Sequence, residues 1–306
     1  MKYALLFCSL AMGFALCGCA VLERAGIALF YKRADLSETQ VRYDIPYLEG
    51  STSPKQRLDL FVAQGHNNPV FVFVHGGGWT KGDKSLRVGG ADVYGNIGRF
   101  YAARGIMTAV ISYRLQPSVR WPGQVDDVAA AVAWIHSHAA EFGGNPARIF
   151  LGGHSAGAQL VTRLALDPAP LKAHGLTPAN LCGVISVSGA GLDLVDPQSY
   201  KLGESIAYYQ ERFGSENKDW QRVASPVTYA TPGAPPFLIL YAAGETKALQ
   251  RQSQRLSEVL TAKAISNRVV MVAGESHPRM VLTLSRPDRT AGPAILSFIR
   301  TTPLHS

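Results

Sequence analysis

The chain has 306 residues, of which 47% are hydrophobic and 17% are charged. A chain of this length and apolar content can bury one large core, as one α/β domain or at most two domains. Its net charge of +8 is scattered, without a run of five basic residues. We therefore expect no nucleic-acid partner, whereas contact with an anionic membrane is compatible with this charge.

The first 19 residues resemble a bacterial lipoprotein signal. Lys2 supplies a positive charge, residues 3–16 are almost wholly apolar, and Leu16-Cys17-Gly18-Cys19 matches the pattern Leu-x-Gly/Ala-Cys ahead of a lipidated cysteine. We predict that residues 1–18 are a cleaved signal peptide and that Cys19 carries the lipid, which would anchor the chain to a membrane. A plain secretory signal and an uncleaved anchor helix are the alternatives.

The residues after this signal extend the prediction. Ala20 in place of Asp favours the outer membrane of a bacterial cell envelope, and residues 19–40 are predicted to be a helical, membrane-proximal linker. Cleavage would leave Cys182 as the only free thiol, so we expect no disulfide in the mature domain. Because Cys182 borders the apolar run 183–187, it is predicted to be buried and not to be a nucleophile.

From residue 41 onward, strand-like and helix-like segments alternate. The predicted elements are strands 41–47, 57–63 and 70–74, helix 94–104, strand 106–111, helix 125–138, strand 148–152, helix 156–165, strands 183–188 and 237–241, helix 250–261, strand 268–272 and helix 294–300. Such alternation is typical of an α/β domain, here residues 41–306, in which helices cover both faces of a mostly parallel sheet. The first two strands are predicted to form an antiparallel edge hairpin.

The segment 190–236 breaks this alternation with turns, several prolines and a cluster of aromatic residues. It is predicted to be a lid or a substrate-facing insertion. A surface excursion without a role is the alternative.

The sequence Gly152-Gly153-His154-Ser155-Ala156-Gly157 lies between a predicted strand and a predicted helix. In that context G-x-S-x-G indicates a sharp turn with the serine nucleophile at its apex. The backbone N–H of Ala156 then lies at the start of a helix, where it can bind an oxyanion. A glycine-rich turn without a catalytic role is the alternative for this pattern alone.

A second motif, His75-Gly76-Gly77-Gly78-Trp79, follows the apolar strand 70–74. Consecutive glycines allow backbone N–H groups to point at a ligand, and an H-G-G-G loop upstream of the serine turn supplies oxyanion donors in lipases and esterases. A phosphate-binding loop is the alternative, but neither Gly-Lys-Ser/Thr nor G-x-G-x-x-G follows. The two motifs together favour acyl-transfer chemistry.

A serine nucleophile needs a histidine base with a carboxylate behind it, and after a G-x-S-x-G serine the acid precedes the histidine along the chain. Five of the eight histidines precede Ser155, and one of these, His154, is expected to point elsewhere. His174 comes before any suitable acid, and His305 is one residue from the end. The predicted base is therefore His277, in the loop after the last strand.

The acid has two candidates. Glu245 is the only carboxylate in the loop after strand 237–241, where the acid is expected. Asp193 follows the preceding strand and is the alternative, because some hydrolases place the acid one strand earlier. Glu275 is too close to His277 in sequence to orient it easily. We predict Glu245 and keep Asp193 open.

The chain resembles the α/β-hydrolase superfamily, specifically the H-G-G-G esterases related to hormone-sensitive lipase. Its nearer likeness is to the bacterial carboxylesterase, feruloyl-esterase-like and arylformamidase-like branch, over about residues 41–300. The blocks that carry the likeness are Arg57-Leu58-Asp59-Leu60, His75 to Trp79, Ser112-Tyr113-Arg114-Leu115, Asp127 ahead of Trp134, and Glu141 to Ile149 running into Gly153 to Gly157.

The resemblance implies that Ser155 is the nucleophile, that His277 is the base, and that the N–H groups of Gly77, Gly78 and Ala156 bind the oxyanion. The chain departs from the family where Tyr241-Ala242-Ala243-Gly244-Glu245 replaces the usual His-Gly-x-x-Asp. A glutamate acts as the acid elsewhere in the superfamily.

The predicted activity is two-step hydrolysis of a small carboxylic ester without a metal or cofactor. His136 and His138 lie two residues apart on a helix and so face different directions, which argues against a metal site. The alternatives are an amidase or arylformamidase using the same triad, and a non-catalytic envelope lipoprotein with a hydrolase-like fold. The expected partners are the small-molecule ester and, through the lipid anchor, the membrane; no obligate protein partner is expected.

Overall fold

A computed structural model of the chain describes residues 31–88, 90–201, 205–214 and 217–304. The predicted signal peptide, the predicted lipidation residue Cys19 and the first part of the predicted linker lie outside the described residues. Within the part that is described, no helix combines the length and the apolar character needed to cross a bilayer.

The described residues form ten strands and ten α-helices. The strands are β1 (Val41–Pro46), β2 (Arg57–Phe61), β3 (Asn68–Val74), β4 (Arg87–Val88), β5 (Ala91–Asp92), β6 (Met107–Ile111), β7 (Gly144–His154), β8 (Leu181–Val187), β9 (Phe237–Ala242) and β10 (Asn267–Val272). The helices are α1 (Val93–Ala102), α2 (Gly123–His138), α3 (Ala156–Leu166), α4 (Pro168–Lys172), α5 (Gln198–Lys201), α6 (Ile206–Phe213), α7 (Trp220–Ala224), α8 (Lys247–Ala262), α9 (Met280–Thr283) and α10 (Ala291–Thr301).

Eight strands form one sheet in the order β1-β2-β6-β3-β7-β8-β9-β10, and β4 and β5 form a separate ribbon. β2 pairs antiparallel with β1 and β6, whereas all neighbours from β6 to β10 are parallel. The predicted mostly parallel sheet and its antiparallel edge hairpin are confirmed. The sequence does not signal the ribbon β4–β5, whose strands have two residues each.

Strand β3 explains why the sheet is buried on both faces. Because successive side chains of a strand point to opposite faces, Val70, Val72 and Val74 join the apolar cluster that includes residues of α2, α3 and α8. Phe71 and Phe73 join the cluster that includes residues of α1 and α10. An uninterrupted apolar strand thus requires a helical layer on each side.

The register brings the carboxyl ends of the parallel strands to one edge of the sheet. Val74 at the end of β3 pairs with Gly153 near the end of β7, and His154 pairs with Val187 at the end of β8. β3 has β6 on one side and β7 on the other, so the winding direction reverses there. Open α/β sheets bind ligands at the carboxyl edge beside such a reversal.

The segment before β1 differs from its prediction. Residues 31–37 form no helix, in contrast to the predicted helical linker. Asn96 of α1 accepts a hydrogen bond from the backbone N–H of Ala34 (2.6 Å), and Arg99 forms an ion pair with Glu38 (2.8 Å). The prediction is wrong here because polar groups of this segment find partners on α1 and not within a helix of their own.

The segment 190–236 is a packed insertion. It contributes α5, α6, α7 and the 3-10 turn Pro226–Tyr229. Tyr209 and Phe213 of α6 and Ala224 of α7 are buried and belong to the core cluster that α2, α3 and α8 also join. The insertion is therefore tied to the domain by apolar contacts.

Candidate active site

Ser155 occupies the turn between β7 and α3 with φ 56° and ψ −117°. For a residue other than glycine this conformation is strained by about 1–3 kcal/mol, so the surroundings must hold it. A Cβ on Gly153 would lie 2.3 Å from the backbone of Gly157, and one on Gly157 would lie 2.2 Å from the carbonyl oxygen of Val74. The sharp turn thus requires both glycines of the motif.

The loop after β3 borders the same cleft as Ser155, through Gly77 and Gly78. These glycines have φ values of 118° and 60°. The carbonyl of Gly77 accepts the N–H of Lys81 (3.0 Å), which closes a tight turn. Ala156 is the first residue of α3, so the glycine loop and the start of this helix both adjoin Ser155.

Helix α6 holds this glycine loop. Trp79 is fully buried, has φ 63°, and packs edge-on against Phe213 with ring centroids 4.7 Å apart. Its indole N–H donates to Gln159 of α3 (3.2 Å), and Nε of Arg212 donates to the carbonyl oxygen of Gly78 (3.1 Å). The sequence does not signal these contacts, because α6 lies in the segment where the alternation of strands and helices breaks.

The structure brings Ser155, His277 and Glu245 into one chain of hydrogen bonds. Nε2 of His277 lies 3.0 Å from Oγ of Ser155, and its Nδ1 lies 3.2 Å from Oε2 of Glu245. A carboxylate only accepts, so Nδ1 carries the proton and Nε2 is free to accept the proton of the serine hydroxyl. This is the arrangement in which a histidine acts as a general base.

Glu245 is shielded from solvent, with no exposed side-chain surface. The loops after β9 and β10 touch, since the N–H of Gly244 donates to the carbonyl oxygen of Glu275 (2.9 Å). Oε1 of Glu245 has no hydrogen-bond partner among the described residues. His277 is thus the neighbour that offsets burial of this carboxylate.

His154 has a role that the sequence prediction missed. It does not point away from the site, because its Nε2 donates to the backbone carbonyl of His277 (2.9 Å), and the two rings lie 4.8 Å apart. Burial, together with the nearby His277, lowers the pKa of His154 to about 3, so its imidazole is neutral. Nothing in the sequence alone distinguishes this contact from a histidine that faces the core.

The alternative acid, Asp193, lies elsewhere. Its Oδ2 pairs with Nε of Arg255 (3.1 Å), and its Oδ1 accepts the backbone N–H groups of Val195 and Asp196 (3.0 Å each). Glu275 faces Arg279 at 3.4 Å. Neither carboxylate is brought to His277.

Other residues of the sequence motifs serve the scaffold. Asp127 accepts a paired set of hydrogen bonds from Arg114 (2.8–3.1 Å) and one from Gln56 (2.7 Å). His75 stacks on Tyr113 with centroids 4.3 Å apart, and burial lowers its pKa to about 4. These contacts fix the segments on either side of the glycine loop.

Ser155 opens onto a cleft of about 590 Å³. Apart from the glycine loop, Ser155 and His277, it is lined by Leu86, Val88, Val93, Tyr94, His154, Ser276, Pro278, Arg279, Val281 and Leu282. Pockets for small molecules commonly span about 300–1,000 Å³. The cleft is therefore large enough for a small-molecule substrate.

The described residues contain no group of three or more His, Cys, Asp or Glu side chains that could hold a metal ion. His138 stacks on Trp134 with ring centroids 4.3 Å apart. Cys182 is buried and free, and its thiol contacts the carbonyl oxygen of Ala147 at 3.1 Å. The prediction that Cys182 is buried is confirmed.

Comparisons of sequence point to esterases. The profile of the family BD-FAE matches residues 58–260. Esterase LipQ of Mycobacterium tuberculosis is 27% identical over 267 residues, which cover 84% of this chain and 61% of that protein. Isoprenylcysteine alpha-carbonyl methylesterase ICME of Arabidopsis thaliana is 26% identical over 263 residues, covering 79% and 58%. The chain spans about three fifths of the length of these curated relatives.

Comparisons of structure agree on the fold. Esterase B of Lactobacillus rhamnosis has a TM-score of 0.73 at 21% identity, over 95% of this chain and 94% of that chain. An esterase of Pyrobaculum calidifontis has a TM-score of 0.71 at 18% identity, over 94% and 93%. Together with the strand order, these likenesses confirm the α/β-hydrolase fold.

Proposed function

The chain belongs to the BD-FAE family of α/β-hydrolase esterases, and from this premise we propose that it hydrolyses carboxylic esters through an acyl-enzyme on Ser155. The observation that carries the proposal is the hydrogen-bond chain from Ser155 through His277 to Glu245. A serine that acts as a nucleophile without a metal is activated by a base, and an acid orients that base. Backbone donors beside the serine bind the oxyanion.

In the first half of the reaction, Oγ of Ser155 attacks the ester carbonyl while Nε2 of His277 takes its proton. Glu245 keeps the imidazole in the required tautomer and stabilises the imidazolium that forms. The carbonyl oxygen becomes an oxyanion, which the N–H groups of Gly77, Gly78 and Ala156 bind. Loss of one such donor typically costs about 3 kcal/mol of transition-state stabilisation.

Collapse of this intermediate breaks the bond to the alcohol, and Nε2 of His277 gives its proton to the leaving oxygen. A water molecule then attacks the acyl-enzyme, with His277 as base again, and releases the acid and free Ser155. The residues of this chain supply every proton transfer in the cycle.

Labelling with a fluorophosphonate probe and hydrolysis of p-nitrophenyl butyrate test the proposal. Ser155→Ala is expected to abolish labelling and to lower kcat by about a millionfold, to the background rate. Ser297→Ala, an exposed serine on α10, is the matched control and is expected to retain both. Unchanged hydrolysis in Ser155→Ala would contradict the assignment of the nucleophile.

The same triad also suits an amide whose leaving group can accept the proton from His277. Assay of an N-formyl aromatic amine beside the ester separates the two substrate classes. A kcat/KM higher for the amide than for any ester would replace the ester hydrolase with an amidase. A folded chain that neither labels at Ser155 nor turns over either substrate would instead favour a binding function.

For the N-terminus, we propose attachment to the bacterial envelope through lipid on Cys19, supported by the sequence Leu16-Cys17-Gly18-Cys19. Cys19→Ala is expected to abolish incorporation of labelled fatty acid and to release the chain from the membrane fraction. Retention of the variant on the membrane would overturn this proposal without affecting the proposed chemistry.

A further inference from the structure

Two segments far apart in sequence wall the cleft with aliphatic side chains. Leu86 directly precedes β4, Val88 ends β4 and Val93 begins α1. Val281 and Leu282 come from α9. Apolar surface of this kind gains free energy when it buries a hydrocarbon in place of water. The walls thus favour an apolar part of the substrate.

The larger polar side chains on the lining are engaged with the protein. Tyr94 hydrogen-bonds with the backbone of Gly76, and His154 donates to the carbonyl oxygen of His277. Arg279 faces the carboxylate of Glu275. A sugar placed against these walls would lose water from its hydroxyls and gain few hydrogen-bond partners, so its binding would be weakened by each hydroxyl left unpaired.

The ribbon is anchored at the end next to α1. The N–H of Val93 donates to the carbonyl oxygen of Leu86 (2.8 Å), and Asp92 caps α1 by accepting the N–H of Gly95 (3.1 Å). Val88 pairs with Ala91 beyond this anchor and is half-buried. It is therefore the wall residue of the ribbon placed furthest from α1.

From the apolar walls and the position of Val88, we infer that the cleft binds an unbranched aliphatic chain of the ester and that Val88 sets the longest chain it accommodates. The inference rests on the proposed esterase function and names the substrate class of that site. This aliphatic chain is part of either the acyl group or the alcohol group of the ester. Each methylene buried in the cleft is expected to raise kcat/KM about fourfold until the chain reaches Val88.

Two series of esters show whether the acyl group or the alcohol group carries the aliphatic chain. The first varies the acyl group of p-nitrophenyl esters from acetate through butyrate, hexanoate and octanoate to decanoate. The second varies the alcohol of alkyl acetates from ethyl to octyl. The expected result is a steep rise and then a fall of kcat/KM along one series, with acetylated sugars hydrolysed more slowly than the best member.

Variants of Val88 test the wall. Val88→Phe is expected to move the optimum to a shorter chain and to lower kcat/KM for octanoate or octyl acetate at least tenfold while the shortest ester is retained. Val88→Ala is expected to move the optimum to a longer chain. Val269→Phe, the same change at an exposed position of β10, is the matched control and leaves the profile unchanged.

Labelling of Ser155 by a fluorophosphonate and the thermal unfolding temperature are measured for every variant. Labelled, folded enzyme that hydrolyses esters without chain-length dependence, or with the same optimum in Val88→Phe and Val88→Ala, overturns the inference alone. Preference for an acetylated sugar overturns it too. Folded wild-type chain that neither hydrolyses any ester nor labels Ser155 overturns the proposed function instead.

Discussion

The loops after β8 and β9 each present one buried carboxylate at the same edge of the sheet. Asp193 and Glu245 have side chains 3% and 0% exposed, respectively. Asp193 is surrounded by donors, namely two backbone N–H groups and Arg255, whereas Glu245 has His277 as its partner. Burial at this edge of the sheet does not by itself suit a carboxylate to orient a histidine, because the donors around the carboxylate decide whether its oxygens are available.

Helix α8 accounts for this division. It begins at Lys247, two residues after Glu245, and carries Arg255 back to Asp193. Asp193 therefore anchors the helix to the loop after β8. Glu245 precedes the helix and faces the loop after β10, where its carboxylate meets His277. The sequence left both candidates open because this return of α8 is a tertiary contact.

The largest expected difference between a variant of Glu245 and a variant of Asp193 is in kcat. Glu245→Gln keeps the shape of the side chain but removes its charge, and the amide can hold His277 in the wrong tautomer. We expect kcat for p-nitrophenyl butyrate to fall about 10⁴-fold with little change in KM. Asp193→Asn is the matched control, and its kcat is expected to stay near that of the wild type. The opposite ranking would make Asp193 the acid.

The free energy of unfolding is expected to depend more on Asp193 than on Glu245, the reverse of the order for kcat. Asp193→Ala leaves the backbone N–H groups of Val195 and Asp196 without their acceptor and removes one of the carboxylate partners of Arg255, so the free energy of unfolding is expected to fall by about 3 kcal/mol. Urea denaturation measures this loss. Glu245→Gln is expected not to lower the free energy of unfolding, because one oxygen of Glu245 already lacks a hydrogen-bond partner among the described residues. A larger loss in Glu245→Gln would contradict this ranking.

The loop that carries His277 should also respond to acid, through His154. Its pKa of about 3 in the folded chain lies below the value of about 6.5 in an unfolded one, so between these values the unfolded chain binds more protons. Stability is therefore lost as the pH falls, by about 1.4 kcal/mol per pH unit for this histidine. His154→Asn does not titrate, and we expect its unfolding free energy to depend on pH less steeply by that amount between about pH 4 and pH 6.

Denaturant unfolding at several pH values measures this slope. His66→Asn, at an exposed position, is the matched control for the loss of one histidine. An equal change of slope in both variants would contradict a specific contribution from His154.

Much of the fold follows from local patterns. The apolar run 70–74 and the two glycine motifs are legible because strand burial and sharp turns depend on neighbouring residues. The predicted helix 250–261 starts three residues late, since α8 begins at Lys247 after a Thr246 cap that the apolar pattern does not mark. Local chemistry thus predicts the elements better than their ends.

The site divides in the same way. Ser155 and His277 could be selected from motif and chain order, and the structure brings them within 3.0 Å. The contact of Arg212 with Gly78 and that of His154 with the backbone of His277 could not, because each joins residues more than 100 positions apart. No periodicity or motif records such a pair, so these supports appear only when the chain is folded.

The smallest expected effect comes from breaking the ion pair between Asp193 and Arg255 while the other contacts of Asp193 are kept. Arg255→Met keeps an apolar side chain but removes the charge. The side chain of Arg255 is 28% exposed and also contacts Glu258, so solvent screens the pair with Asp193. We expect the free energy of unfolding to fall by about 1 kcal/mol or less with kcat unchanged. Arg222→Met, which breaks the exposed pair with Asp219, is the control and is expected to show no measurable loss. If Arg255→Met were as damaging as Asp193→Ala, the salt bridge would hold the loop after β8. A smaller loss means that the hydrogen bonds from the backbone N–H groups of Val195 and Asp196 hold this loop. Asp193 then stabilises the loop mainly as a cap, and its ion pair with α8 contributes little.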